Sequence, residues 1–77
     1  MNSRVTSEPP AHIRIRVNGD IATFAVPFVI ADVILYLGVQ GRYAVEVNGD
    51  IVPRGVHATH LLADGDRVEV VHAIGGG

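Results

Sequence analysis

The chain has 77 residues, 48% of them hydrophobic, no cysteine, and a formal charge of −2 from six basic residues, all arginine, against eight acidic ones. That describes one domain near the size where a single core suffices, with stability of about 4–11 kcal/mol, and it excludes disulfide staples, thiolate zinc sites and thiol nucleophiles, as fits a reducing compartment. The arginines (Arg4, Arg14, Arg16, Arg42, Arg54, Arg67) are scattered along the sequence, without the basic stripe expected of a nucleic-acid binder, and no apolar run approaches the length of a membrane span.

The opening MNSRVTSEPP has no apolar signal-peptide core. Its Ser, Thr, Glu and Pro9-Pro10 bury too little to order themselves. Residues 1–11 therefore read as a flexible leader, and a cytoplasmic protein with no membrane or nucleic-acid partner is expected.

The pentapeptide VNGDI occurs at Val17–Ile21 and again at Val47–Ile51, each time after alternating apolar residues. Asn-Gly favours the type I′ turn, whose two central residues both need positive φ, so two hairpins are predicted. In the first, HIRIRV places Ile13, Ile15 and Val17 on one face and Arg14 and Arg16 on the other. The register of the returning strand, IATFAV, stays open. A two-residue loop sets Phe24 opposite Ile13 on the core side, whereas a three-residue loop with a bulge puts Ile21 and Thr23 there.

In VPFVIADVILYLGV, the residues Ile30, Val33, Ile34 and Leu37 recur at helical spacing, and Gly38 stands where a left-handed C-cap belongs. The β-branched content opposes a helix, but the run is long for a strand and ends on a glycine. A third strand follows in YAVEV, with Tyr43, Val45 and Val47 on one face. Next comes a short fourth strand, IVP, where Pro53 marks an edge or an end. GVHATH reads as a turn or a short helical piece. A tight Asp64-Gly65 turn then leads to the last strand, with Val68 and Val70 inward and Glu69 and Val71 outward.

This order predicts an α+β chain: a β-grasp of residues 12–74, a mixed sheet of four to five strands on one helix with the last strand central. The crossover rule places the helix on one face and leaves the other free for docking. Residues 75–77 form a flexible glycine tail.

At neutral pH a terminal carboxylate is an anion and a poor electrophile. To react it must become an acyl-adenylate or similar, within a partner that uses ATP and magnesium. Ala73 to Gly77, extended, carry it about 16–18 Å beyond the body, and Gly75, Gly76 and Gly77 have no Cβ to obstruct a narrow channel.

The segments IRVNGD, IADVILYLGV, VNGDIVPR and LLADGDRVEVVHAIGGG resemble, in order and spacing, the sulfur carrier family of thiamine biosynthesis, whose members are ubiquitin-like β-grasp proteins. The resemblance covers about Ile13 to Gly77. It implies that Gly77 is adenylated by a ubiquitin-activating-like adenylyltransferase and converted to a thiocarboxylate by a cysteine desulfurase system. Thiazole synthase then takes the sulfur for the thiazole ring. On this reading the chain is no enzyme and binds no cofactor or metal itself, ATP and Mg being used by the activating partner. Ile74, Gly75 and Gly76 thread the partner's channel, and Val71 with Ala73 forms an apolar docking patch. One departure concerns the helix start, where the family often has a capping Thr and this chain has Val29.

Other candidates carry less. His57 and His60 have a metal-compatible spacing, but zinc needs three or four ligands, so they read as two exposed histidines on a turn. His72 reads as a solvated strand-end imidazole, and Asp64 and Asp66 read as turn formers. A molybdopterin-type sulfur carrier and a TGS-like binding module share the expected fold. The acidic balance and the glycine end disfavour the second, and no nucleophile, metal set or phosphate loop suggests an autonomous enzyme.

Overall fold

The computed structural model describes residues 11–72. The leader, apart from Ala11, and the residues Ala73, Ile74, Gly75, Gly76 and Gly77 lie outside them.

Both predicted hairpins form, and each Asn-Gly pair makes a two-residue turn, which settles the loop length left open for the first. Asn18 and Gly19 have φ of 48° and 90°, and Asn48 and Gly49 have 54° and 92°. Asn tolerates this left-handed region better than most side chains, and Gly enters it freely. The first turn joins β1 (His12–Val17) to β2 (Asp20–Ala25), pairing Ile13 with Phe24 and Val17 with Asp20. The two-residue register therefore holds, and Phe24 faces the core side. The second turn joins β3 (Tyr43–Val47) to β4 (Asp50–Val52), after which Pro53 ends the strand.

Helix α1 (Ile30–Leu37) buries Ile30, Val33 and Ile34, with Leu37 partly buried beside them. Gly38, at φ 72°, closes it by donating to Ile34 O and Leu35 O. At the other end Val29 has no side-chain acceptor, yet the first turn is well satisfied. Asp32 Oδ2 accepts the Val29 amide at 2.9 Å, and the amides of Ala31 and Ile30 donate to His57 O and His60 O at 2.9 and 3.3 Å. Those carbonyls belong to the 54–62 segment, which opens with a 3-10 turn at Arg54–Val56 and crosses the helix N-terminus.

Strand β5 (Arg67–His72) completes one five-stranded sheet in the order β2-β1-β5-β3-β4, parallel to β1 and antiparallel to β3. Alternation then decides the faces. Ile13, Ile15, Val17, Val45, Val47, Val52, Val68 and Val70 meet the helix residues and Leu62 in a wholly aliphatic core. Near edge strand β2, Phe24 stacks on Phe28 at 4.1 Å between centroids and meets Tyr36 edge-on at 4.9 Å.

Candidate functional site

The tail leaves from β5, so what holds that strand sets where the tail begins. On the β3 side, pairing runs the whole length, from Val47 opposite Val68 to Tyr43 opposite His72. On the β1 side it stops early, at Val17 opposite Val68, because β1 turns away. The side chain of Asn18 supplies the next rung, its Oδ1 accepting the Val70 amide at 2.7 Å while its own amide donates to Val68 O at 2.9 Å. Asn48 does the equivalent from the other side. Its Oδ1 accepts the Arg67 amide at 2.9 Å, and its Nδ2 donates to Asp66 Oδ1 at 2.9 Å. The two repeated asparagines thus grip the central strand between them.

Asp64 and Asp66 behave as turn formers and also tie the turn to its surroundings. Asp64 Oδ1 accepts the Arg14 amide, and Asp66 Oδ2 accepts the Ala63 amide, both at 2.8 Å.

At the far end of β5, Val71 is 60% exposed on the helix-free face, opposite Ala44. Its proposed companion Ala73, and the tail residues Ile74, Gly75, Gly76 and Gly77, fall outside the described residues. His72 is exposed but not wholly free in solvent, because its Nε2 donates to Gln40 O at 3.2 Å. Beside it, Arg54 stands over the Tyr43 ring at 4.5 Å and donates from Nη2 to Gly41 O at 3.3 Å. A guanidinium held against an aromatic face in this way adds a cation–π attraction of about 0.5–1 kcal/mol at an exposed site.

The reading of HATH as two exposed histidines is corrected. His57 is buried, at 6% exposure, stacked near the Tyr43 ring, with its Nε2 2.9 Å from Val52 O. A carbonyl only accepts, so Nε2 carries a proton and donates it. Buried Nδ1 has no partner among the described residues. The side chain is a strut between the end of β4 and the segment that caps α1. His60 is partly buried and contributes its main-chain carbonyl. Among the described residues no group of three or more His, Asp or Glu side chains is placed to hold a metal.

The view of the arginines as scattered is corrected as well. Arg16 lies directly beside Arg67 across the β1–β5 pair, and Arg14 is two residues from Arg16 on the same face. Sequence reasoning missed this cluster, together with the Arg54–Tyr43–His57 packing, because both join distant segments. The signals that were available are the Asn in each VNGDI copy and the Arg of IVPR.

A mixed sheet with its last strand at the centre, one helix across a single face and the other face open, defines a ubiquitin-like β-grasp protein. The model of the ThiS family matches residues 15–77. The chain belongs to that family, the sulfur-carrier family of thiamine biosynthesis. A crystal structure of the thiamine biosynthesis protein ThiS from Geobacter metallireducens is similar, with a TM-score of 0.68 and 28% identity, covering 84% of this chain and 100% of that one. A curated thiazole synthase from Paramagnetospirillum magneticum is 36% identical over 66 residues, which are 84% of this chain and 20% of the relative. The chain thus spans about a fifth of the length of the curated relative it matches. Among the described residues no helix is long and apolar enough to cross a membrane.

Proposed function

We propose that this chain carries sulfur as a thiocarboxylate on Gly77, for construction of the thiazole ring of thiamine. The observation that carries the reading is the family match, which continues through the glycines to residue 77. The placement of β5 supports it: a strand gripped on both sides gives the following five residues a fixed origin.

On this reading the Gly77 carboxylate attacks the α-phosphorus of ATP, releasing pyrophosphate and leaving an acyl-adenylate. The terminal sulfur of a cysteine persulfide, supplied by a cysteine desulfurase system, attacks the acyl carbon and expels AMP. A thiol then cleaves the S–S bond of the resulting acyl disulfide and leaves the thiocarboxylate. The chain has no cysteine, so both sulfur nucleophiles come from partners. The activating partner is a ubiquitin-activating-like adenylyltransferase that uses ATP and Mg, and the chain acts as its co-substrate rather than as an enzyme. Thiazole synthase receives the sulfur. The similarity of a curated thiazole synthase to most of this chain supports that pairing.

Ile74, Gly75 and Gly76 are assigned to the partner's channel, where residues lacking Cβ pass most easily. Val71 and Ala73 are assigned to an apolar contact at its mouth. The test is the intact mass of the protein after incubation with its host's adenylyltransferase, MgATP and a sulfur source. The expected gain equals replacement of one oxygen by sulfur and disappears when Gly77 is deleted. An unchanged mass with competent partners overturns the reading.

A further inference from the structure

The two edges of the sheet are guarded unequally. On one side β4 has three residues and stops at Pro53, so it offers another strand little to pair with. On the other side β2 runs for six residues, Asp20–Ala25, with no proline, no lysine and no charge after Asp20. Val17 and Asp20 close the two-residue turn, and the Val26 amide donates to Ala11 O at 3.1 Å, so the even-numbered residues of β2 bond to β1. The amides and carbonyls of Ile21, Thr23 and Ala25 therefore point outward, and no strand lies beyond them among the described residues. Ile21 is 54% exposed beside this edge, and Tyr36, which meets Phe24 on the helix side, is 56% exposed.

Outward donors and acceptors along an uncharged, unguarded strand are a template for a further strand. The order of side chains selects the strand that fits. Laid antiparallel against itself about Thr23, β2 sets Ile21 opposite Ala25 and Phe24 opposite Ala22 of the second copy, so each large side chain faces a small one. Thr23 faces its own counterpart, a favourable cross-strand pair. The two Asp20 side chains fall at opposite ends, so no like charges oppose. Centring the pairing on Ala22 or Phe24 instead leaves one outward residue of each copy unmatched, whereas the Thr23 centre matches all of them.

We propose that β2 is a pairing edge for a second copy of this chain, joining two sheets into one across a two-fold axis at Thr23. About six main-chain hydrogen bonds form across it, from Ile21, Thr23 and Ala25 of each copy. The axis stands perpendicular to the sheet, so both helices share one face and both open faces stay uncovered on the other. Phe24 and Tyr36 of the two copies close around the axis on the helix side. The two β5 strands lie five strand spacings apart, about 24 Å, and run in opposite directions. Neither tail is obstructed, and the pairing stands independently of the sulfur-carrier reading. Two short edges bury less than the roughly 1,200–2,000 Å² of a stable interface, so the dimer is weak, with Kd on the order of 10 μM to 1 mM.

The test is sedimentation equilibrium of the full chain across that concentration range, for wild type, T23P and T23E, with circular dichroism to check each fold. T23P removes an outward amide that β1 does not use, which an edge strand tolerates. T23E sets two carboxylates face to face at the axis while placing each beside Arg14 of its own copy. Wild type dimerises, and each substitution weakens association at least about tenfold. At about 1 M salt T23E recovers part of its loss and T23P does not. In a mixture of isotope-labelled and unlabelled wild type, a strong intermolecular NOE joins Ala22 Hα to Phe24 Hα, a non-hydrogen-bonded pair in which the strands approach most closely. Should T23P fail to fold, T23E and the NOE decide. A chain that stays monomeric overturns the proposal, and so does a dimer indifferent to the substitutions, whose interface lies elsewhere. Amides of Ile21, Thr23 and Ala25 that resist exchange in the dilute monomer assign the edge to residues 1–10 of the same chain and overturn the second copy as its occupant.

Discussion

Asn18 Oδ1 accepts the main-chain amide of Val70 at 2.7 Å, joining residues 52 positions apart. The same residue holds the left-handed turn at φ 48°, so one side chain closes the first hairpin and prolongs the β1 edge past the point where its backbone turns away. Asn18→Gly keeps the turn but leaves a partly buried amide unmet, and it should cost about 1–3 kcal/mol. Asn18→Ala adds the strain of a Cβ at positive φ, a further 1–2 kcal/mol or so. Asn48→Gly removes bonds that are exposed, so water replaces them and the loss should stay near about 1 kcal/mol. Urea unfolding of the three variants gives the ranking, and equal losses at Asn18→Gly and Asn48→Gly would contradict it.

His57 is a buried strut whose Nε2–H meets Val52 O. His57→Phe retains a flat ring near Tyr43 but leaves that carbonyl without its donor, at a cost of about 1–3 kcal/mol. Nitrogen NMR of the wild type should report the Nε2-protonated tautomer. A ring protonated at Nδ1 instead would remove the bond on which the prediction stands.

The start of α1 provides a test of capping rules. Placing Thr at an apolar N-cap ordinarily gains about 1 kcal/mol. Here Val29→Thr should gain less than about 0.5 kcal/mol, because the Ala31 amide is already bonded to His57 O and the Asp32 amide to Val29 O. Asp32→Ala, which frees the Val29 amide, should cost about 0.5–1 kcal/mol. Thermal melts of both variants decide this, and a gain of a full kcal/mol from Val29→Thr would show that the first turn is under-satisfied.

For the tail, deleting Gly77 should abolish sulfur loading while changing unfolding free energy by less than about 0.5 kcal/mol, because a terminal glycine has no side chain to bury. Gly76→Ala should fold normally and slow activation, followed as pyrophosphate release with the adenylyltransferase. A wild-type rate in Gly76→Ala would remove the argument for a narrow channel.

Most of the fold is legible in the chain because its signals are local. The two VNGDI copies place two hairpin turns, strict alternation in HIRIRV and YAVEV assigns faces, and Gly38 marks the helix end. The first hairpin illustrates the limit. Both loop lengths satisfied local chemistry, and the choice lay in which side of edge strand β2 met the helix. Phe24 stacks against Phe28 and Tyr36, so tertiary packing favours the register that keeps the aromatic ring on that side.

The functional surface divides the same way. Periodicity alone placed Val71 outward and Val68 and Val70 inward, because side-chain direction along a strand follows from its two-residue repeat. Exposure of His57 was misjudged because a turn-like HATH segment carries no local mark of what covers it. The carbonyl that its ring meets and the tyrosine beside it come from β4 and β3. The arginines were misread as scattered because Arg14, Arg16 and Arg67 become neighbours only when β5 inserts beside β1. The sequence by itself determined where the turns fall, the faces of β1, β3 and β5, and the helix, all products of backbone preference and short-range periodicity. The tertiary structure alone decided which distant side chains share a face and which polar groups are buried, because a parallel pairing between the first and last strands depends on closing a loop that spans most of the chain.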